Sequence, residues 1–403
     1  MKKRLLCAGL AAAMAVSLTA CGGSGSTAET KAEGSSASAE AKSEGGSGAA
    51  VFKIGGIGPI TGGAAVYGMA VQHGTELAVN EINAAGGING CQIEFQFQDD
   101  EHDAEKSVNA YNTLKDWGMQ VLVGTTTSAP CLAVADKSAA DNMFQITPSG
   151  SVVECAANPN VFRICYSDPD QGAASATYIG EHKLASKIAV IYDSSDVYSS
   201  GVYEKFAQEA PAQGIEIVAS EAFTADSNKD FSTQLQKAKD AGAEMVFLPI
   251  YYTEASLILQ QANTMGFAPL FFGVDGMDGI LQVEGFDTSL AEGLMLLTPF
   301  AADATDDLTV QFVKAYEDAY GETPIQFAAD AYDAVYAVKA AIEDAKATPD
   351  MSVSDLCEAM KTSMLNIKLD GLTGVGMTWT EDGEPHKEPK AVKIVNGAYA
   401  AME

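Results

Sequence analysis

The sequence predicts an α/β protein made of two doubly wound, parallel-sheet lobes. Three observations carry that expectation. From Val51 onward, short apolar runs alternate with helical stretches, the pattern of βα units whose helices cover both faces of a parallel sheet. The runs number about ten, too many for one compact sheet. The chain has 403 residues, 47% of them apolar, enough for two cores at about 100–200 residues per domain.

In chain order the predicted strands are residues 52–57, 93–99, 121–124, 144–147, 161–165, 187–192, 216–219, 245–249, 270–273 and 294–298. Several, such as VLVG and IAVIY, are near-continuous apolar runs, as strands buried on both faces should be. Between the first two, residues 66–83 form an amphipathic helix. Ala70, Gly74, Leu77, Ala78 and Ile82 share one face, and Gly86-Gly87 stops it. Periodicity alone places a division near residue 168. Two such lobes leave a cleft at the carboxyl ends of their strands, where ligands bind in open α/β sheets.

Charge narrows the function. Lys and Arg number 24 against 54 Asp and Glu, a net of −30. Such a surface repels phosphate backbones and anionic lipids, so nucleic acid and polybasic membrane binding are not expected. The chain starts with a targeting segment: Lys2, Lys3 and Arg4 precede a charge-free apolar stretch over 5–18, too short for a comfortable membrane span. Leu18-Thr19-Ala20-Cys21 follows and resembles a bacterial lipobox, with Cys21 as the lipidated residue. Residues 1–20 are therefore expected to be a lipoprotein signal peptide. Its removal takes away three basic residues and no acid, moving the net from −30 to −33. Residues 21–50 lack aromatic and branched aliphatic side chains after the signal and are expected to form a disordered tether, with a reach of about 30 Å. The expected location is extracytoplasmic, lipid-anchored to the bacterial cell membrane.

Catalytic signatures are missing. Beyond Cys7 and Cys21, five cysteines remain, Cys91, Cys131, Cys155, Cys165 and Cys357. An odd number at irregular spacing makes no disulfide framework, and the sequence leaves one bridge, two bridges or free buried thiols open. The histidines His73, His102, His182 and His386 are scattered, so no metal is expected. There is no Walker A, G-x-S-x-G or H-E-x-x-H sequence. Residues 55–62, GGIGPITG, with Asp99 and Asp100 ending the next strand, faintly mimic a dinucleotide loop. The spacing is imperfect and Pro59 sits where an amide is needed. No cofactor and no enzymatic activity are expected.

A set of segments carries more information together than any alone. The folded part opens FKIGGIGPITGGAAVYGMAVQHGTELAVNEINAAGGING and continues through QIEFQFQDDEHDAEKSVNAYNTL, VLVGTTTSAP, QITPSGS, NVFRICYSDPDQG, IAVIYDSSDVYSSG, FLPIYYTEASLILQQANTMGF, FFGVDGMDG and AADAYDAV to LDGLTGVGMTW. This run resembles the leucine/isoleucine/valine-binding protein family, the type I periplasmic solute-binding proteins of amino-acid ABC transporters. The resemblance covers residues 51–403 in register. It implies the type I periplasmic-binding-protein fold, with two lobes joined by three crossing segments, a ligand cleft between them and hinge closure. The lobes implied are 51–168 plus about 299–380, and 169–298 plus about 381–403.

The resemblance also implies a ligand set for an amino acid's α-carboxylate and α-amino group. Ser128 in GTTTSAP stands at a strand end before a helix, where the helix N-terminus favours an anion; an N-cap role is compatible with this. Ser149 and Ser151 in QITPSGS replace the family's more usual Ala and Thr. Tyr198 closes from the second lobe. Tyr251 does so too, with Tyr252 as the competing choice. Asp275 in FFGVDG stands where the family often has Glu and would pair with the ammonium, with shorter reach. Tyr67 borders the side-chain pocket, and Phe327 is another wall. The implied partners are a small amino acid, ABC permease subunits and the membrane through lipid on Cys21, with the protein a monomer. An amide, urea-like or aromatic-acid ligand, or a sensing role, is the alternative. Asp99-Asp100 would end a strand, Trp117 pack a helix and the stretch 371–376 form turns.

Overall fold

The structure, a computed structural model, describes residues 50–402. The predicted signal peptide, the lipidation residue Cys21 and the tether up to residue 49 lie outside the described residues.

The first half of the chain builds one sheet. β1 (Phe52–Gly58), α1 (Ala65–Ala84), β2 (Ile93–Asp99), α2 (Ala104–Trp117), β3 (Val121–Gly124), α3 (Ser128–Ala140), β4 (Phe144–Thr147) and β5 (Val161–Arg163) follow in turn. Their strands pair in the order β2-β1-β3-β4-β5, all parallel. Parallel neighbours need a crossover between them, which α1, α2 and α3 supply. Local chemistry sets the boundaries. Asp103 accepts a hydrogen bond from Lys106 N at the start of α2, and Gly118, at φ 95°, ends it in the left-handed region.

The chain then crosses to a second sheet. α4 (Asp168–Glu181), β6 (Lys187–Asp193), α5 (Val197–Glu209), β7 (Glu216–Phe223), α6 (Ser232–Asp240), β8 (Met245–Leu248), α7 (Tyr252–Thr264), β9 (Leu270–Gly273) and β10 (Met295–Thr298) form its main body. A second crossing leads to α8 (Asp307–Tyr320), α9 (Gln326–Ala345) and α10 (Val353–Met364). Here α9 packs along α1, and α10 packs on α9 and β4. The hairpin β11 (Thr378–Trp379) and β12 (Pro385–His386) opens the third crossing, which delivers β13 (Lys390–Val395) and β14 (Ala398–Ala401) to the second sheet. That sheet reads β14-β13-β10-β9-β8-β6-β7.

All ten predicted strands are present. β7 runs on to Phe223 rather than stopping at residue 219, and β5 ends at Arg163, short of residue 165. The second sheet is mixed: β13 is antiparallel to β10 and to β14. The terminal hairpin joins the edge of a parallel sheet without a crossover helix, and antiparallel pairing allows that.

Arg163 ties the crossings together. Its side chain is fully buried. Nη1 donates to Ser151 O at 2.6 Å, and Nη2 donates to the carbonyls of Val152 and Val153, each at 2.9 Å. Nε lies 3.3 Å from Glu384 Oε1, Arg163 N donates to Gly383 O at 3.0 Å, and Trp379 Nε1 donates to Arg163 O at 2.8 Å. One buried guanidinium thus fixes both the loop after β4 and the third crossing. No helix among the described residues is long and apolar enough to cross a membrane.

Candidate functional site

The two sheets present their strand ends to one small cavity. From the first, β3 runs through Thr125, Thr126 and Thr127 into α3. Ser128 is the first residue of that helix, with Thr127 at the cap position. Its hydroxyl bridges to the loop after β4, accepting from Ser151 N at 3.1 Å and Val152 N at 3.4 Å and lying 3.3 Å from Ser151 Oγ. A helix N-terminus flanked by hydroxyls and held rigid by Arg163 is suited to a carboxylate.

The second sheet supplies the opposite wall. Tyr198 lies in the first turn of α5, Tyr251 immediately precedes α7, and Asp275 follows β9. The rings of Tyr198 and Tyr251 stack at 5.1 Å with planes 2° apart. Asp275 is buried. Its Oδ1 accepts from Tyr198 Oη at 2.7 Å and Gly276 N at 2.7 Å, and its Oδ2 accepts from Gln171 Nε2 at 3.1 Å. Burial pushes its carboxyl up to about 6, against the lowering effect of the Tyr198, Gly276 and Gln171 hydrogen bonds.

Tyr67 of α1 joins the walls. Its hydroxyl donates to Gly276 O at 2.5 Å and accepts from Tyr252 N at 3.2 Å. The exchange is reciprocal, since Tyr252 Oη accepts from Val66 N at 3.2 Å. Thr253 Oγ1 adds a bond to Gly63 O at 2.9 Å. Phe327 packs on the Tyr67 ring at 4.4 Å.

All eight residues singled out in the sequence, Tyr67, Ser128, Ser149, Ser151, Tyr198, Tyr251, Asp275 and Phe327, line this cavity, together with Thr126, Thr127 and Gly276. Between Tyr251 and Tyr252 the structure divides the work: Tyr251 faces the cavity, whereas Tyr252 is buried in the contact with α1. The cavity volume is about 10 Å³, room for about one water. A larger ligand enters only if the walls move apart.

Sequence reasoning missed Gln171 and Asp168, both inside the quoted segment NVFRICYSDPDQG. Gln171 orients Asp275. Asp168 is buried, and its Oδ1 has no hydrogen-bond partner among the described residues. The spacing on α4 gave no sign that Gln171 reaches a loop a hundred residues away. Asp99 does end β2, and its carboxylate holds the Gly-rich loop by accepting from Ile60 N at 3.0 Å and the Thr61 hydroxyl at 2.5 Å. Cys91, Cys131, Cys155, Cys165 and Cys357 are not bridged to one another in this structure. Among the described residues no group of three or more His, Cys, Asp or Glu is placed to hold a metal.

Fold and cavity define the class: a two-lobed α/β protein with a polar, aromatic-walled cleft between the lobes. Comparison with known proteins is specific. Residues 51–398 match the family described as periplasmic binding protein. The chain is 31% identical over 303 residues to Leu/Ile/Val-binding protein homolog 3 of Brucella melitensis, covering 75% of this chain and 81% of that one. It is 28% identical to the leucine-, isoleucine-, valine-, threonine-, and alanine-binding protein of Pseudomonas aeruginosa, covering 76% and 82%. Among solved structures, the branched-chain amino acid transporter substrate binding protein LivJ of Streptococcus pneumoniae, in complex with isoleucine, superposes with a TM-score of 0.79 at 28% identity, covering 87% of this chain and 98% of that one. A solute-binding protein from R. palustris in complex with benzoate shares the fold at a TM-score of 0.76 and 19% identity, covering 87% and 95%. The chain belongs to the periplasmic binding protein family, in its leucine/isoleucine/valine-binding branch. Members of this family are solute-binding proteins of transporters, not enzymes.

Proposed function

We propose that this protein is the extracytoplasmic, lipid-anchored receptor of an ABC importer and that it takes a small amino acid, branched-chain or similar. The observation that carries this reading is the placing of Asp275 opposite Ser128 and Ser151 across one cavity. An acid on one wall and hydroxyls at a helix N-terminus on the other match the two charges of a zwitterion. An aromatic acid such as benzoate has no ammonium and would leave Asp275 without a cation. The isoleucine bound by the streptococcal relative supports the same choice.

In this reading the first lobe comprises 51–168 plus about 299–380, and the second 169–298 plus about 381–403. The open protein receives the ligand's carboxylate at Ser128, Ser149 and Ser151. Tyr198, Tyr251 and Asp275 then close over it, selecting the closed state by contacts absent from the open one. Tyr67 and Phe327 wall the ligand's side chain. Membrane permease subunits recognise the closed form, and lipid on Cys21 keeps the monomeric receptor near them. No bond is made or broken in this sequence.

Isothermal titration against a panel of amino acids and benzoates tests the reading. One-to-one binding of a small aliphatic amino acid is expected. Asp275→Ala should weaken it about 10–100-fold, the value of a charged hydrogen bond of about 1.5–3 kcal/mol. Binding of benzoate but of no amino acid, or unchanged affinity in Asp275→Ala, would refute it.

A further inference from the structure

We propose that Cys131 and Cys155 form a disulfide that ties the start of α3 to the loop carrying Ser149 and Ser151. The two residues come from different elements. Cys131 lies in the first turn of α3, and Cys155 in the short 3-10 helix Val153–Ala156. Both are fully buried and share one small apolar cluster with Val152 and Leu132. Their side chains adjoin in that cluster and act directly on each other. Each sulfur is also fixed from outside the pair. Cys155 Sγ donates to Ser128 O at 3.6 Å, and Cys131 Sγ accepts from Gln145 Nε2 at 3.7 Å. Gly150 sits directly on Cys131: a Cβ there would lie 2.7 Å from its sulfur.

The other thiols have no such arrangement. Cys91 lies in the turn before β2 and Cys357 in α10, packed with the α9 side of the first lobe. Cys165 is buried near Arg163 and is the leftover neighbour of the pair. The Arg163 guanidinium acts on Cys131, Cys155 and Cys165. The neighbouring Cys155 side chain, with Thr147 and Arg163 adding to it, lowers the Cys131 thiol despite its burial. The neighbouring Cys131 sulfur and burial push the Cys155 thiol up. Cys131 is therefore the attacking sulfur.

A low-molecular-weight disulfide such as oxidised glutathione completes the chemistry. The Cys131 thiolate attacks one glutathione sulfur, breaking the glutathione S–S bond and expelling one glutathione thiolate. Cys155, losing its proton, attacks the Cys131 sulfur of the mixed disulfide and expels the second. Two protein thiols and one glutathione disulfide become one protein disulfide and two glutathione thiols. Because both sulfurs are buried, the reaction runs as the chain folds or while the 3-10 helix is open.

Refolding the full chain from denaturant in a reduced/oxidised glutathione buffer, alkylating free thiols and mapping the peptides tests this. A Cys131–Cys155 linked peptide is expected, with Cys91, Cys165 and Cys357 alkylated. The oxidised protein should melt a few degrees above the reduced one, since the cross-link restricts the unfolded chain. Cys165→Ser should keep the linked peptide and Cys155→Ser should lose it. Alkylation of both Cys131 and Cys155, or a Cys155–Cys165 peptide, would overturn the proposal; because Cys165→Ser leaves the pair intact, a folding failure of Cys155→Ser does not blunt the test.

Discussion

At the scale of single residues, Asp275 carries the most weight. It is buried, holds three hydrogen bonds, and its carboxyl is raised to about 6 by desolvation. A ligand ammonium needs the ionised form, so binding has to displace a proton at mildly acidic pH. Affinity is expected to be flat above pH 7 and to fall about tenfold between pH 7.5 and pH 5, the consequence of a group titrating near 6. Titration calorimetry across that range checks it; constant affinity would show that Asp275 meets no cation. Nothing local in FFGVDG marks this Asp. A lone acid on a Gly-rich loop is ordinarily a turn residue, and only the register of the whole chain singled it out. The choice between Tyr251 and Tyr252 was beyond the sequence for a simpler reason. One step along a helix turns a side chain by about 100°, and the start of α7 falls between the two residues.

Among elements, the contact between α1 and α9 shows what the sequence reveals and what it hides. The buried stripe of α1 was legible from spacing, because Ala70, Gly74, Ala78 and Ile82 recur at helical intervals and are buried. Its partner was not, since α9 arrives from a distant part of the chain. Gly74 is where the two meet: a Cβ there would lie 2.1 Å from Ala328 O. Backbone cannot yield as a flexible side chain does, so Gly74→Ala must separate the helices. A loss of about 1–3 kcal/mol is expected, read as a lower denaturant midpoint at unchanged slope. A stable Gly74→Ala protein would mean that α9 is free to slide. The strands β13 and β14 also escaped a local reading. In β13 exposed Lys390 alternates poorly with a buried Ala391-Val392 pair, and every residue of β14 is exposed or half-exposed. β14 is the edge of the sheet, paired on one side only, and β13 lies between it and β10.

For the molecule as a whole, buried acids and net charge pull in one direction. Asp100, Asp196, Asp275 and Asp278 are raised to about 6, and Asp330 to about 7, in each case chiefly by burial. A carboxyl whose folded value lies above its unfolded one binds its proton more tightly in the folded state. The stability it contributes is complete below the unfolded value and is lost as pH rises through the folded value. Acids held low by hydrogen bonds, such as Asp141 and Asp306, begin to matter only below about pH 4. Between pH 7.5 and 5.5 the raised group therefore dominates, and protonation also relieves the repulsion of a net −30. The melting temperature is expected to rise over that interval. A falling one would mean that pairing, as between Lys387 and Asp330 at 3.3 Å, outweighs burial. The lobe-to-lobe path of the chain was likewise invisible to local periodicity. It rests on contacts such as Trp379 with Arg163, 216 residues apart.

Those late contacts bear on how the chain is made. The first sheet is complete in strands by Arg163, yet α1 stays uncovered until α9 arrives, and β5 lacks its bond to Gly383. The second sheet waits longer still, because β10 has no neighbour on one side until β13 is synthesised. A ribosome delivering residues in order therefore completes the first core only after α9 and the Gly383 turn, and the second only after β13 and β14.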